Sequence, residues 1–306
     1  MTRGQDRAGA ARNPGRRPAL AAIGLAAMAL AACGGAGPAP ARSAGHPAVS
    51  PSAAAPPSSS SAAAGESGHG AATAALPLAG KIVGIDPGHN GGNFTDPGAI
   101  AHLVWNGTGW EACNTTGTTT DGGYTEAQFN FNVASYLRAD LLRDGAQVVL
   151  TRTSNDGVGP CVDRRAEIIN AARADVAVDI HADGGPASGR GFTILEPVAD
   201  GPDDNVIAAS QRLGADVRQA MLAGTTMPVS DYTGVDGIMP RDDLAGLNLT
   251  TVPKVLIECG NMRNATDAGL LVTARFQQQV AAALTAAIVR FLEQREQRDQ
   301  PGRTGR

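Results

Sequence analysis

Lysine is nearly missing from this chain: Lys81 and Lys254 are the only two in 306 residues. Arginine supplies the other cations, yet the net charge is −4, which argues against a nucleic-acid surface. No C-x-x-C spacing occurs among the four cysteines, so a cysteine zinc site is disfavoured. An H-E-x-x-H pair is also absent. The apolar run "ALAAIGLAAMALAAC", Ala19 to Cys33, falls short of the roughly 20 residues that an ordinary spanning helix needs.

That run follows five arginines within residues 1–18, and small residues close it. A basic segment, a short apolar run and small residues make an export signal. "LAAC" at Leu30–Cys33 resembles a bacterial lipobox, in which the cysteine is lipidated; plain cleavage at an A-x-A site is the alternative. Arg16-Arg17 alone is too little for a twin-arginine signal. Residues 34–78 are Ala, Pro, Ser and Gly with almost no large apolar side chain. Such a segment cannot offset its ordering entropy, so it reads as a disordered linker, with His46 and His69 solvated in it. The folded part is expected at 79–295, one domain by length, with a polar tail at 296–306.

Within 79–295 short apolar runs alternate with helical patterns. "KIVGID", "AQVVLTR", "DVAVDIHAD", "GFTILEP" and "KVLIECGN" read as strands. Thr125 with Gln128 forms a capping box, and Phe129, Val133, Leu137 and Leu141 recur every four residues until Gly145. Further helices are expected at 162–174, 204–223 and 274–294, with a loop of about thirty residues before "KVLIECGN". "AIAHLVWNGTGWEAC" reads as a hairpin turning at Asn106-Gly107. The pattern predicts an α/β domain, a mainly parallel twisted sheet flanked by helices, with an inserted β-hairpin.

Ligands of such sheets bind beyond the carboxyl ends of the strands. His89 follows the first strand, His181 ends the third and Glu258 lies near the end of the fifth. Two neutral imidazoles plus one carboxylate make a zinc site with an open position for water. Glu126, in the first turn of its helix, is the expected third ligand. It stands 37 positions after His89 and 55 before His181, so spacing alone carries little. Glu258 ends an apolar run, where a carboxylate is costly without a purpose; it suits a proton carrier.

"IVGIDPGHNGG", "TEAQFNFNVASYL", "VVLTR", "RRAEIINAARADVAVDIHAD" and "VPKVLIECGNMRN" resemble, in order, the blocks of the zinc-dependent N-acetylmuramoyl-L-alanine amidases of the Amidase_3 family. The resemblance covers roughly residues 80–295. It implies Zn2+ held by His89, Glu126 and His181, with Glu258 as the catalytic glutamate. It also implies hydrolysis of the amide between N-acetylmuramic acid and L-alanine of the stem peptide. Peptidoglycan or muropeptides would be the partner, met by an exported monomer in the cell envelope, with Cys33 as the only tie to a membrane. Asn261-Met262 replaces the family's frequent apolar or aromatic pair, and residues 98–124 stand as an insertion. No separate wall-binding repeat is visible. The competing readings are a non-catalytic peptidoglycan-binding lipoprotein and a zinc peptidase acting on stem peptides.

Other residues have plainer roles. His102 reads as a strand residue of the hairpin, and Trp105 and Trp110 pack across its turn or stack on sugar. Asp86 and Asp179 either orient the histidines from behind or are simple strand-end acids. Arg152, Arg164 and Arg165 read as structural ion-pair formers. Cys259 follows Glu258 on a strand and points to the opposite, buried face. That leaves Cys113 to pair with Cys161, 48 positions on.

Overall fold

The computed structural model of the chain describes residues 75–199 and 204–299. The predicted export signal with Cys33, residues 34–74 of the predicted linker and residues 300–306 of the tail lie outside them. In chain order the elements are β1 (Ile82–Pro87), α1 (Pro97–Ala101), β2 (Leu103–Trp105), β3 (Trp110–Ala112), α2 (Glu126–Arg143), β4 (Gln147–Leu150), α3 (Val162–Ala171), β5 (Val176–Asp183), β6 (Thr193–Pro197), α4 (Ile207–Gly224), β7 (Ile238–Arg241), α5 (Ala245–Asn248), β8 (Lys254–Asn261), α6 (Ala265–Leu271) and α7 (Ala274–Asp299).

Six strands form one sheet in the order β4-β1-β5-β8-β6-β7. The first four run parallel; β6 is antiparallel to β8, and β7 is parallel to β6. Side chains alternate along each strand, so the sheet has two unlike faces. Val83, Ile85, Val178, Ile180, Val255, Ile257 and Cys259 belong to the large core, packed under α2, α4 and α7. The opposite face carries Asp86, Asp179, His181, Lys254 and Glu258 beside Ala177 and Leu256, and packs against α3 and α5. One face supplies stability; the other supplies polar groups.

Helix α2 shows how the sequence makes this arrangement. Phe129, Val133, Leu137 and Leu141 are all fully buried against the sheet, as their spacing predicts. Truncating any of them to Ala should cost roughly 2–5 kcal/mol. The Thr125 hydroxyl accepts from Gln128 N–H at 3.2 Å, which fixes the helix start and hence the position of Glu126. Only this half of the capping box forms; the Gln128 Oε1 accepts instead from Asn155 Nδ2 at 3.0 Å. Gly145, at φ +93°, takes the left-handed turn after the helix.

The structure departs from the sequence reading at several elements: residues 99–101, read as hairpin, belong to α1, and α6 falls where no element was predicted. Strand β7 and helix α5 fall inside the predicted thirty-residue loop. Both are four residues long, and β7 contains Pro240, so neither has room for a periodic signal. The domain starts earlier than residue 79, because Leu78 is wholly buried in the main core and its N–H bonds Asp144 O at 2.9 Å. Helix α7 runs on to Asp299, into the predicted polar tail, and Glu296 pairs with Lys81 at 2.5 Å. His102 is not in the hairpin: it caps α1, before β2 begins. The hairpin itself is as expected, with Trp105 opposite Trp110 and the rings edge to face at 5.6 Å. Cys113 is bonded to Cys161, and Cys259 is a buried free thiol.

Candidate metal centre

His89, Glu126 and His181 come from a loop, a helix start and a strand, yet their donor atoms all lie within 4.8 Å of one another. His89 sits just beyond β1 with φ +55°, a left-handed backbone that turns its ring back over the sheet edge. Its Nε2 is 3.1 Å from Glu126 Oε1, and its Nδ1 is 3.1 Å from the Thr115 carbonyl. His181 Nδ1 is 2.8 Å from the same Glu126 Oε1, and its Nε2 is 3.3 Å from Asp179 Oδ1. Glu126 Oε2 accepts from Thr118 N–H at 2.9 Å, which leaves Oε1 for the two imidazoles. Each ring thus turns one nitrogen to the shared carboxylate and the other to a backing acceptor. That is how metal-binding histidines are held.

Close approach requires glycine at two places. A side chain at Gly88 would strike the His181 ring. One at Gly117, where φ is +71°, would come within 2.7 Å of both Glu126 Oε2 and His89 Cδ2.

Two arginines brace the turn at residues 86–89. Arg165 donates to Asp86 Oδ1 at 2.7 Å, to Pro87 O at 2.8 Å and to His89 O at 2.6 Å. Arg152 donates to Pro87 O at 2.8 Å, Gly88 O at 3.2 Å and Ala127 O at 2.9 Å. Arg165 is therefore the buried ion-pair former that was expected, and Arg164 pairs with Glu167 at 2.6 Å on the surface. Arg152 corrects the expectation: it ties backbone carbonyls of β1 to α2. Asp179 does stand behind His181. Asp86 touches no histidine; it accepts from Thr151 Oγ1 at 2.6 Å and pairs with Arg165 and Lys254.

The electrostatics fit a cation. Burial alone would raise the Glu126 carboxyl, but the facing imidazoles outweigh it and hold it well below the usual range. Burial alone would lower His181, but Asp179 and Glu126 outweigh it and hold it well above. Protein groups by themselves thus draw positive charge to this spot. Two imidazoles and a carboxylate are also the nitrogen and oxygen donors a borderline divalent metal takes, with a coordination position left open. Glu258 lies in register with His181 on the neighbouring strand. Its Oε2 is buried without a hydrogen-bond partner. Burial raises its carboxyl to about 8, opposed by His181 and reinforced by Glu126, Asp183 and Asp179.

A cavity of about 170 Å³ opens beside His89 and His181. Glu111 and Ala112 of the hairpin, Thr115, and Leu244 and Leu247 at α5 help to line it. The disulfide ties Cys113, next to β3, to the start of α3, so the insertion forms a fixed wall of this cavity. Sequence reasoning missed the backing partners: Thr115, Thr118 and above all Lys254, which is fully buried between Asp86 and Asp179. Burial pulls the Lys254 ammonium down, but the two carboxylates outweigh it and raise it. A lysine opening an otherwise apolar strand was the available signal.

Comparison with known proteins places the chain in a family. Residues 83–290 match the family model Amidase_3, described as N-acetylmuramoyl-L-alanine amidase. The N-acetylmuramoyl-L-alanine amidase Rv3717 of Mycobacterium tuberculosis is 40% identical over 223 residues, which is 72% of this chain and 90% of that one. The crystal structure of the N-acetylmuramyl-L-alanine amidase Ami1 from Mycobacterium smegmatis superposes with a TM-score of 0.67 at 38% identity, covering 71% of this chain and 99% of that one. Its counterpart from Mycobacterium abscessus gives 0.65, also at 38% identity, over 70% of this chain and all of that one. On the strength of these matches and the fold, the chain belongs to the Amidase_3 family of N-acetylmuramoyl-L-alanine amidases.

Proposed function

We propose that the peptidoglycan amidase reaction of this family runs here on a zinc ion held by His89, Glu126 and His181, with Glu258 carrying the proton. The observation that carries the reading is the convergence of the three donor residues, with Glu258 in register beside His181. Zinc, when bound, supplies a Lewis acid that polarises the amide carbonyl and lowers the pKa of water towards neutrality. Glu258, as carboxylate, takes a proton from the attacking water. It returns that proton to the amide nitrogen as the bond between the lactyl carbonyl and L-alanine breaks. The products are a lactyl carboxylate on N-acetylmuramic acid and a free amine on the peptide. One carboxyl serves both steps, acting first as base and then as acid. Thr115, Asp179 and Thr118 hold the donor groups in place.

Export to the cell envelope, lipidation at Cys33 and a monomeric state belong to the same proposal and rest on the sequence. Among the described residues no helix is long and apolar enough to cross a membrane.

Digestion of purified peptidoglycan, read by mass spectrometry of the new termini, tests the reaction. Free N-terminal L-alanine is expected, and new termini only inside the stem peptide would instead make the protein a peptidase. Glu258→Gln should keep its zinc while kcat falls by at least ~10². Loss of zinc together with activity would make Glu258 a ligand.

A further inference from the structure

The polar face of the sheet contains a cation to which the reaction gives no role. Lys254 opens β8 at 1% exposure, with Nζ 3.0 Å from Asp86 Oδ2 and 3.6 Å from Asp179 Oδ2. A buried ammonium is costly unless its partners need it. Asp86 is already served by Arg165 and Thr151. Asp179 differs: among the described residues, Lys254 is the only lysine or arginine in ion-pair range of it. With Lys254 on Oδ2, the other oxygen, Oδ1, is buried without a hydrogen bond and lies 3.3 Å from His181 Nε2.

A neutral imidazole has one N–H and one lone pair. A carboxylate beside Nε2 draws the N–H to that side and leaves the Nδ1 lone pair for the cluster, where Glu126 Oε1 waits at 2.8 Å. We propose that Lys254 is a positioning residue for the metal: it holds the Asp179 carboxylate against His181 Nε2 and so commits His181 to bind through Nδ1. His89 is arranged the other way round, with Nε2 towards Glu126 and Nδ1 on the Thr115 carbonyl. The two histidines therefore bind through different nitrogens. This inference rests on the donor set proposed above.

Two measurements on the full chain test it. In zinc-loaded protein carrying 15N-histidine, long-range proton–nitrogen spectra should show His181 with a metal-bound Nδ1 and a protonated Nε2. The reverse pattern overturns the inference, and this reading needs no variant. Chelator competition then compares Lys254→Met, Asp179→Asn and the double variant, each checked for its fold by circular dichroism. Lys254→Met should bind zinc about tenfold more weakly, the lower end of what partners behind a ligand contribute. The double variant should lose no more than Asp179→Asn alone, because the lysine acts through that carboxylate. Unchanged affinity in folded Lys254→Met, or losses that simply add, would defeat the role of Lys254 and leave the donor set standing. A chain that takes up no zinc at all would remove both.

Discussion

Gly88→Ala offers a sharp test of the metal centre, because its effect follows from one contact. A methyl carbon at Gly88 would crowd three atoms of the His181 ring, and the farthest of them, Cδ2, would be only 2.7 Å away. Non-bonded carbons prefer about 3.5–4.0 Å, and ring Cε1 would lie closer still, so something must move by more than about 1 Å. The backbone at Gly88 is poorly placed to do so. Its N–H bonds Ile180 O at 3.0 Å, and its carbonyl accepts from Asn130 and Arg152, each at 3.2 Å. The ring should therefore give way. Metal–ligand distances tolerate only about 0.2 Å, so a shift of this size should take His181 out of the coordination sphere. Zinc affinity should fall by about 10² or more, since even disturbing the groups behind a ligand costs about 10–100-fold. The fold should survive, since overpacking of this kind costs about 1–3 kcal/mol. Chelator competition reads the affinity and thermal melting the stability. Stoichiometric zinc at undiminished affinity would refute the placement of His181 over Gly88.

Three further outcomes are expected. The Glu258 carboxyl rises from its ordinary 4.5 to about 8 on folding, so the native metal-free chain binds the extra proton more tightly than the unfolded chain. Its contribution to stability is thus complete below 4.5 and fades as pH climbs through 8; the difference in denaturation midpoint between wild type and Glu258→Gln should follow that window, and a pH-independent difference would contradict the burial argument. Opening the loop of sequence separation 48 by Cys113→Ser with Cys161→Ser should cost up to about 4 kcal/mol, while non-reducing peptide maps of the unsubstituted protein should contain the linked pair; a free, alkylatable Cys113 would refute the bond. Leu78→Ala should destabilise by roughly 2–5 kcal/mol, and an unchanged urea midpoint would restore the predicted boundary at residue 79.

The sequence carried the frame of this molecule well because the frame is periodic. The four-residue spacing from Phe129 to Leu141, the apolar strands and the glycine after α2 each have one dominant cause. His89, His181 and Glu258 were legible because each breaks a pattern, as a polar group at the end of an apolar run. Glu126 needed the topology rule and the family resemblance, since a glutamate in a first helical turn is ordinary. The supporting layer stayed hidden. Thr115 and Thr118 act partly or wholly through backbone atoms, which any residue supplies. Arg152 binds carbonyls contributed by segments distant in sequence. Strand β7 owes its place to β6 rather than to its own four residues, one of them proline.

The alternation that points Glu258 to one face and Cys259 to the other also bears on oxidative maturation. Three thiols of the folded region, Cys113, Cys161 and Cys259, allow three pairings, and only one is native. Either wrong pairing would have to drag Cys259 out of the main core, where it is fully buried, and would pull its neighbour Glu258 with it. A molecule misoxidised at Cys259 could not keep Glu258 in register beside His181. Lost turnover would therefore mark molecules mispaired at Cys259, whereas a fully reduced chain keeps both Cys259 and Glu258 in place.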